Sequence, residues 1–323
     1  MTDVRKRQPK VCDYYVDEDS FSPGVAFCAG CALELNLRFI SRVLGKDIIF
    51  VGTPSCSAPV LHGQNTMAWH KHAYYACTMT GVASSATGLS RYYQHAGIDA
   101  TVVCHTGDGC SQDVGFQTLS GAAERNEKMI YITYDNEGYM NTGIQQSSAT
   151  PFGASTSTTP TGKAGRGKTT GSKNMPLVMA MHDIPYVATA TLSHLEDYAK
   201  KLVKAKEAAK HGFAYIHVFC PCVVGWKIPV DASIQVCRDA VKTNYFPLWE
   251  MEDGVYRITQ KVKDPKPVSE LTSTLGKFRH MKPDELAILQ GQVDHRFRVL
   301  EALCAGSAQA LCAESAAEEA PAT

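Results

Sequence analysis

Five short apolar runs mark the first two-thirds of the chain: Asp47–Val51, Ala100–Cys104, Lys128–Tyr134, Ile184–Thr191 and Phe213–Phe219. Their length and near-continuous apolar character suit strands buried on both faces. Helix-like stretches lie between them. Leu33, Leu37, Ile40 and Leu44 repeat at helical spacing and end at Gly45. The clearest helix is Ser193–His211. There Ser193 and Glu196 make a capping-box pattern, Leu195, Tyr198, Leu202 and the stem of Lys206 share a face, and Gly212 supplies the stop. Strand–helix alternation of this kind predicts an α/β fold, a mostly parallel sheet flanked by helices.

The pattern also divides the chain. Residues 1–20 read as an N-terminal arm and 21–226 as the main domain. Alternation fades beyond Trp226, so 227–304 reads as a C-terminal extension. The Ala- and Glu-biased 305–323 reads as a disordered tail. Gly143–Asn174, rich in Ser, Thr and Gly, is too long for an ordinary connection and is either a linker or a lid. It starts directly after Asn141-Thr142, next to the candidate chemistry, which favours a lid.

Composition narrows the function classes. Net charge is zero, with 32 basic and 32 acidic residues, so nothing favours nucleic acid or an anionic membrane as partner. The opening residues carry no apolar signal core, and no run approaches the roughly 18 apolar residues of a membrane span. A cytoplasmic location is the expectation. In that compartment 12 cysteines read as metal ligands or buried thiols, not disulfides.

The special residues cluster at strand ends. Cys56, Gly107-Asp108-Gly109, Asn136 and Cys222 each lie just beyond the carboxyl end of an expected strand, the edge where open parallel sheets bind ligands. Thr106 to Ser111 would turn from a strand into a helix starting near Asp113. Glycines let backbone N–H groups approach a phosphate there, and a helix N-terminus attracts its charge. Asp108 offers a hard oxygen for Mg²⁺, and the Asn136 side chain and Gly138 carbonyl could complete its sphere. Gly-Asp-Gly alone is often only a turn. Followed by a helix, a second strand and an Asn, it resembles the thiamine-diphosphate signature.

Cys28-Ala29-Gly30-Cys31 is a C-x-x-C pair, and adding Cys56 and Cys222 gives four thiolates, suited to tetrahedral zinc or to [4Fe–4S]. Structural zinc usually uses two close pairs on one small unit. One pair with two distant singles at a sheet edge favours an enclosed cluster. Cys220 competes with Cys222 for the fourth place.

Together these residues resemble the β, thiamine-diphosphate-binding subunit of the pyruvate/2-oxoacid:ferredoxin oxidoreductase family. Cys28 to Cys31 is similar to its C-x-G-C, Tyr134 to Gly143 to its Y-D-N-E-x-Y-x-N-T-G, and Cys222 to Trp226 to its P-C-x-x-G-W ending, which selects Cys222 over Cys220. The resemblance runs from about Phe21 to about Gln290. It implies a thiamine-diphosphate-binding fold and three cofactors: thiamine diphosphate, Mg²⁺ and a [4Fe–4S] cluster on Cys28, Cys31, Cys56 and Cys222. It implies Mg²⁺ on Asp108, Asn136 and Gly138, with Gly107, Gly109, Cys110, Asn141 and Thr142 around the diphosphate and Asn141 near the reacting centre. The expected reaction is oxidative decarboxylation of a 2-oxoacid to acyl-coenzyme A and CO₂ with one-electron transfers. The expected partners are α, γ and ferredoxin-like δ subunits, with ferredoxin or another acceptor.

Two features depart from the family pattern. Ala32 stands where Gly usually follows C-x-G-C. The segment Ser57–Tyr75, with His62, His70, His72, Tyr74 and Tyr75, does not follow the pyruvate enzymes' wording. If these side chains face substrate, an aryl glyoxylate or oxalate becomes plausible; otherwise they are packing or subunit contacts. Two other readings stay open: a non-redox thiamine-diphosphate decarboxylase or carboligase with a structural zinc on the four cysteines, and a non-catalytic scaffold subunit.

Overall fold

A computed structural model describes residues 9–16, 20–23, 26–61, 70–163 and 165–318. Its centre is an eight-stranded sheet built from β1 (Ile48–Gly52), β2 (Ala73–Ala76), β3 (Thr101–Gly107), β4 (Met129–Asp135), β5 (Tyr186–Thr191), β6 (Phe213–Phe219), β7 (Trp249–Glu252) and β8 (Val255–Ile258). The order is β2-β1-β3-β4-β6-β5-β7-β8. Strands β1 to β6 are parallel, and β7 and β8 add antiparallel at the β5 edge. Every residue of β4, β5 and β6 is buried, which explains why these strands read as unbroken apolar runs.

The helices are α1 (Ala32–Leu44), α2 (Ala58–Leu61), α3 (Val82–Ala96), α4 (Phe116–Glu124), α5 (Met175–Ala180), α6 (Leu195–Ala208), α7 (Ser233–Lys242), α8 (Val268–Thr272) and α9 (Pro283–Glu318). On one face of the sheet, Val103, Ile132 and Ile216 pack against Leu37 and Ile40 of α1 and Tyr198 and Leu202 of α6. On the other, Val102, Tyr131 and Val187 meet Ala86 of α3, Leu119 of α4, Met179 of α5 and Leu300 of α9. A third cluster joins Phe219, Trp226, Val236, Leu271 and Phe278, carrying the core past the carboxyl end of β6. Among the described residues no helix is long and apolar enough to cross a membrane.

The structure departs from the sequence reading in several places. The residues after Trp226, read as a C-terminal extension, also supply β7 and β8, which pair at the β5 edge of the main sheet. The last helix continues to Glu318 where the Ala and Glu bias suggested a disordered tail; Ala is the strongest helix former, so that composition fits a helix equally well. Residues 319–323 lie outside the described part. The α6 capping box does not form: His194 is the N-cap, and Ser193 bonds the His194 ring at 2.9 Å. Helical backbone starts at Asp108, not near Asp113, and passes through a π turn, Cys110–Val114, before α4.

One buried ion pair ties the layers together. Lys201 of α6, 1% exposed, donates to Asp197 at 2.6 Å, to the Thr189 carbonyl of β5 at 2.8 Å and to Thr259 after β8 at 2.8 Å. Asp197→Ala would leave this ammonium buried without its counter-charge. We expect it to lower unfolding free energy by about 3–5 kcal/mol in urea titration. A loss below about 1 kcal/mol would mean the pair behaves like a solvated surface bridge.

Candidate active site

Parallel pairing lines up the carboxyl ends of four adjacent strands. Gly52 of β1 sits opposite His105 of β3, Gly107 of β3 opposite Tyr134 of β4, and Asp135 of β4 opposite Phe219 of β6. The segments that leave these strands carry Cys56, the Gly107–Gly109 turn, Asn136 to Gly138, and Cys220 to Trp226. All meet along one rim.

Asp108 is fully buried. One carboxylate oxygen accepts the Ser147 hydroxyl at 2.5 Å, and the other accepts the Asn136 backbone N–H at 3.4 Å. The Asn136 carboxamide lies within hydrogen-bond reach of both Asp108 and Gly138, its NH₂ donating to the Gly138 carbonyl at 2.9 Å and to the second Asp108 carboxylate oxygen at 3.1 Å. A carboxylate, a carboxamide and a backbone carbonyl thus meet at one point, and the carboxamide oxygen with the other two would make the hard donor set that Mg²⁺ takes. Burial, reinforced by the nearby Asp135, pushes the Asp108 carboxyl well above the usual carboxylate range. A bound cation would offset both effects. Asp108, Asn136 and Gly138 therefore fit the metal set expected from sequence.

The loop that presents these oxygens is clamped from three sides. Glu137 adopts left-handed backbone (φ +62°), and Trp226 donates its indole N–H to the Asn136 carbonyl at 2.8 Å. The Glu137 carboxylate accepts the Tyr245 hydroxyl at 2.6 Å and pairs with the buried ammonium of Lys277. That ammonium also lies over the Trp226 ring, 3.4 Å from its centroid. Burial raises the Glu137 pKa and lowers that of Lys277, and each charge opposes the shift of the other.

Gly109 has no room for a side chain, because a Cβ would stand 2.4 Å from the Tyr139 ring, whose hydroxyl donates to the Gly109 carbonyl at 2.9 Å. A cavity of about 110 Å³ opens here, lined by Gly107, Gly109, Cys110, Tyr134, Asn136, Gly138, Asn141 and Thr142 among others. The Cys110 thiol is engaged with the Met79 carbonyl at 3.1 Å. Gly143–Asn174 does not link domains: it packs back over the turn. Ser147 bonds Asp108, Ser148 binds Asp113, Thr150 donates to the Glu137 carbonyl at 2.7 Å, and buried Lys168 donates to the Ser147 and Thr150 carbonyls at 3.1 and 2.6 Å.

A second cavity, about 220 Å³, is lined by Cys28, Cys31, Cys56, Cys222 and Cys220. It shares Cys56, Asn136, Met140 and Asn141 with the first. All five cysteines are free. As they stand, no three His, Cys, Asp or Glu side chains among the described residues are gathered closely enough to hold a metal; the sulfurs line a space without touching. Burial first, then neighbouring sulfurs, pushes the Cys31 thiol up to about 11 and the Cys56 thiol up to about 12. Such thiols stay protonated until a metal takes the proton's place. Cys220 is 2% exposed within the hydrophobic core, whereas the Cys222 sulfur is half-buried and accepts the Gly225 N–H at 3.2 Å. Gly30 holds φ +73°, and a Cβ there would lie 1.8 Å from the Val230 carbonyl oxygen. Ala32 is simply the first residue of α1, where no glycine is required.

The described histidines and tyrosines of the Ser57–Tyr75 segment line neither cavity. His72 bonds Ser41 at 2.6 Å and packs edge-on against Phe50, and His70 bonds the Leu61 carbonyl at 3.2 Å beside Phe21. Tyr74 lies over Gly52, and Tyr75 is exposed on β2. These four are packing or surface residues, and His62 is outside the described part. Sequence reading missed Ser147, Thr150, Tyr245 and Lys277. Tyr245 and Lys277 stand 108 and 140 residues from Glu137, and no local pattern marks them.

Residues 51–218 match the family model described as "Thiamine pyrophosphate enzyme, C-terminal TPP binding domain". The chain is 41% identical over 279 residues to pyruvate synthase subunit PorB of Methanothermobacter thermautotrophicus, covering 86% of this chain and 96% of that one. This chain belongs to the thiamine-diphosphate-binding subunits of the 2-oxoacid:ferredoxin oxidoreductases. Within that family it is also 38% identical over 294 residues to ketoisovalerate oxidoreductase subunit VorB of Pyrococcus horikoshii, covering 88% and 94% of the two chains. It is 43% identical over 287 residues to the NADH-dependent phenylglyoxylate dehydrogenase subunit beta of Aromatoleum evansii, covering 88% of this chain but only 64% of that protein. Its fold is like that of a 2-oxoglutarate:ferredoxin oxidoreductase from Magnetococcus marinus, with a TM-score of 0.51, 22% identity, and 73% and 82% of the two chains covered. It is thus a subunit of an oxidoreductase.

The clamp on the Asn136–Gly138 loop gives a prediction. Lys277→Met is expected to raise the Mg²⁺ concentration needed to retain thiamine diphosphate by about 10–100-fold, measured by cofactor release from the protein with its co-purifying subunits. Lys277→Arg should restore most of the retention. An unchanged requirement in the Met variant would show that the loop holds its shape without the buried cation.

Proposed function

We propose that this chain is the thiamine-diphosphate- and [4Fe–4S]-binding subunit of a 2-oxoacid:acceptor oxidoreductase that oxidatively decarboxylates its substrate. The supporting observation is the shared wall: the cavity lined by four expected cluster cysteines abuts the cavity at Gly107–Gly109, with Cys56, Asn136, Met140 and Asn141 common to both. When bound, thiamine diphosphate supplies the nucleophilic carbon and electron sink, and the cluster takes electrons one at a time.

The chain's own residues supply placement and field. Asp108, Asn136 and the Gly138 carbonyl hold Mg²⁺, which neutralises the diphosphate. The backbone from Gly107 to Cys110 approaches the phosphates, and Tyr139 fixes the turn from behind. Asn141 stands at the junction of the two cavities, and Thr142, bonded to Gln145 at 2.6 Å, shapes the mouth of the first. The Ser147–Thr150 stretch covers the Asp108 side and excludes water. Cys28, Cys31, Cys56 and Cys222 carry the cluster, with the Gly225 N–H on the Cys222 sulfur. The apolar walls, Met79, Tyr134 and Met140, suit a substrate with an apolar or aromatic group next to the oxo carbon. The phenylglyoxylate and ketoisovalerate relatives support the same class. Partner subunits complete the cofactor site and pass electrons to ferredoxin or another acceptor, and coenzyme A takes up the acyl group.

Anoxic purification with co-purifying subunits tests this reading. About four irons and four sulfides per chain are expected, with reduction of a viologen dye driven by one or more of pyruvate, 2-oxoisovalerate, phenylglyoxylate and oxalate in the presence of coenzyme A. Cys56→Ser should abolish dye reduction while sparing thiamine diphosphate retention, and Asp108→Asn should abolish retention. Colourless protein with stoichiometric zinc, or full retention in Asp108→Asn, would overturn it.

A further inference from the structure

Neither Gly138 nor Gly225 adopts left-handed backbone, so φ does not call for glycine at either place. Space does. A Cβ on Gly138 would lie 2.8 Å from the Gln145 carbonyl oxygen and 3.0 Å from the Met140 methyl, and one on Gly225 would collide with the Met140 sulfur. The Met140 side chain thus runs from the Asn136–Gly138 loop to the Cys222–Trp226 loop. Each loop carries a position without a side chain that admits it.

Met140 is one of four residues that line both cavities, the first of about 110 Å³ and the second of about 220 Å³. Of the other three, Cys56 and Asn136 belong to the expected ligand sets, and Asn141 is polar. Met140 alone brings a long apolar side chain to the place where the two spaces meet. It is half-buried and packs against the cluster of Phe219, Trp226 and Phe278. Its neighbours are held in place, Gly138 beside the clamped Glu137 and Gly225 by its N–H bond to the Cys222 sulfur at 3.2 Å. An unbranched thioether with three rotatable bonds suits an irregular gap between two such fixed walls.

We propose that Met140 is the partition between the two cavities and sets the largest group that a 2-oxoacid can carry beside its oxo carbon. The inference rests on the reading that the first cavity receives cofactor and substrate and the second a cluster. Shortening the side chain lets the first cavity extend toward the second. A ring in its place fills part of the first. Apolar pockets discriminate by about 10- to 200-fold for one methylene of misfit, so either change reaches a measurable preference.

Binding, not turnover, reads this out. Acyl phosphonates mimic 2-oxoacids and add to thiamine diphosphate without losing CO₂. The protein, purified anoxically with its co-purifying subunits and loaded with Mg²⁺ and thiamine diphosphate, is titrated with acetylphosphonate and benzoylphosphonate. Met140→Ala should raise the preference for the benzoyl over the acetyl compound by about tenfold or more, and Met140→Phe should lower it by a similar factor. Met140→Val, a milder truncation, should shift it in the same direction as Ala. Met140→Leu, near the native volume, should stay within about threefold of wild type. Iron and thiamine diphosphate are measured in every variant. An unchanged preference in any truncated variant that keeps both cofactors overturns the proposal. So does loss of iron from Met140→Leu, which would make the thioether a support for the cluster instead of a wall. Wild-type protein that lacks iron or thiamine diphosphate, or binds neither phosphonate, overturns the reading beneath the proposal, and cofactor analysis tells that outcome from failure of the proposal itself.

Discussion

The site depends on parallel strand pairing. Strands β1, β3, β4 and β6 are adjacent and run the same way, so four segments distant in sequence emerge side by side, one strand spacing of about 4.8 Å apart. Antiparallel pairing anywhere among them would send one segment to the opposite end of the sheet. Cys56, Asp108, Asn136 and Cys222 span more than half the chain, yet each needs only a few residues beyond its strand to reach the rim. The helices on both faces make this possible by returning the chain to the starting edge.

Within that frame, one short loop brings the polar groups of the site together. Asn136, Glu137 and Gly138 must present an amide and a carbonyl to the same point, which places Glu137 in left-handed backbone. The conformation is held by the Trp226 indole, the Tyr245 hydroxyl and the Lys277 ammonium, all from beyond β6. The late part of the chain therefore shapes the chemistry although it contributes only Cys222 to the expected ligand set. The covering segment Ser147–Lys173 closes the opposite side with hydrogen bonds to Asp108, Asp113 and Gln112.

Much of this was legible beforehand, for physical reasons. Strands buried on both faces leave unbroken apolar runs, and the residues that bind at a sheet edge follow those runs directly, so β1, β3, β4, β5 and β6 and the residues after them could be placed. Strand β2 could not, because three of its four residues are exposed and it has no apolar signature. Strands β7 and β8 are short and half-exposed in part, and join the sheet only through tertiary pairing. The Ser193–Glu196 pattern failed because Ser193 found a nearer partner in His194. His70 and His72 carried a polar signal yet serve packing, with Nε2 of each ring bonded to the Leu61 carbonyl and the Ser41 hydroxyl respectively. Lys277 and Tyr245 act across more than a hundred residues, a separation that local sequence does not encode.

Asp108 and Asn136 lie beside the space lined by the four cysteines, since Cys56, Asn136, Met140 and Asn141 line both cavities. Replacing Mg²⁺ with paramagnetic Mn²⁺ in anoxically purified protein, and measuring spin relaxation of the reduced cluster, tests it directly. Strongly accelerated relaxation is expected with Mn²⁺ relative to Mg²⁺, abolished when Asp108 is replaced by Asn. Identical relaxation with the two metals, in protein that demonstrably holds both iron and Mn²⁺, would contradict it.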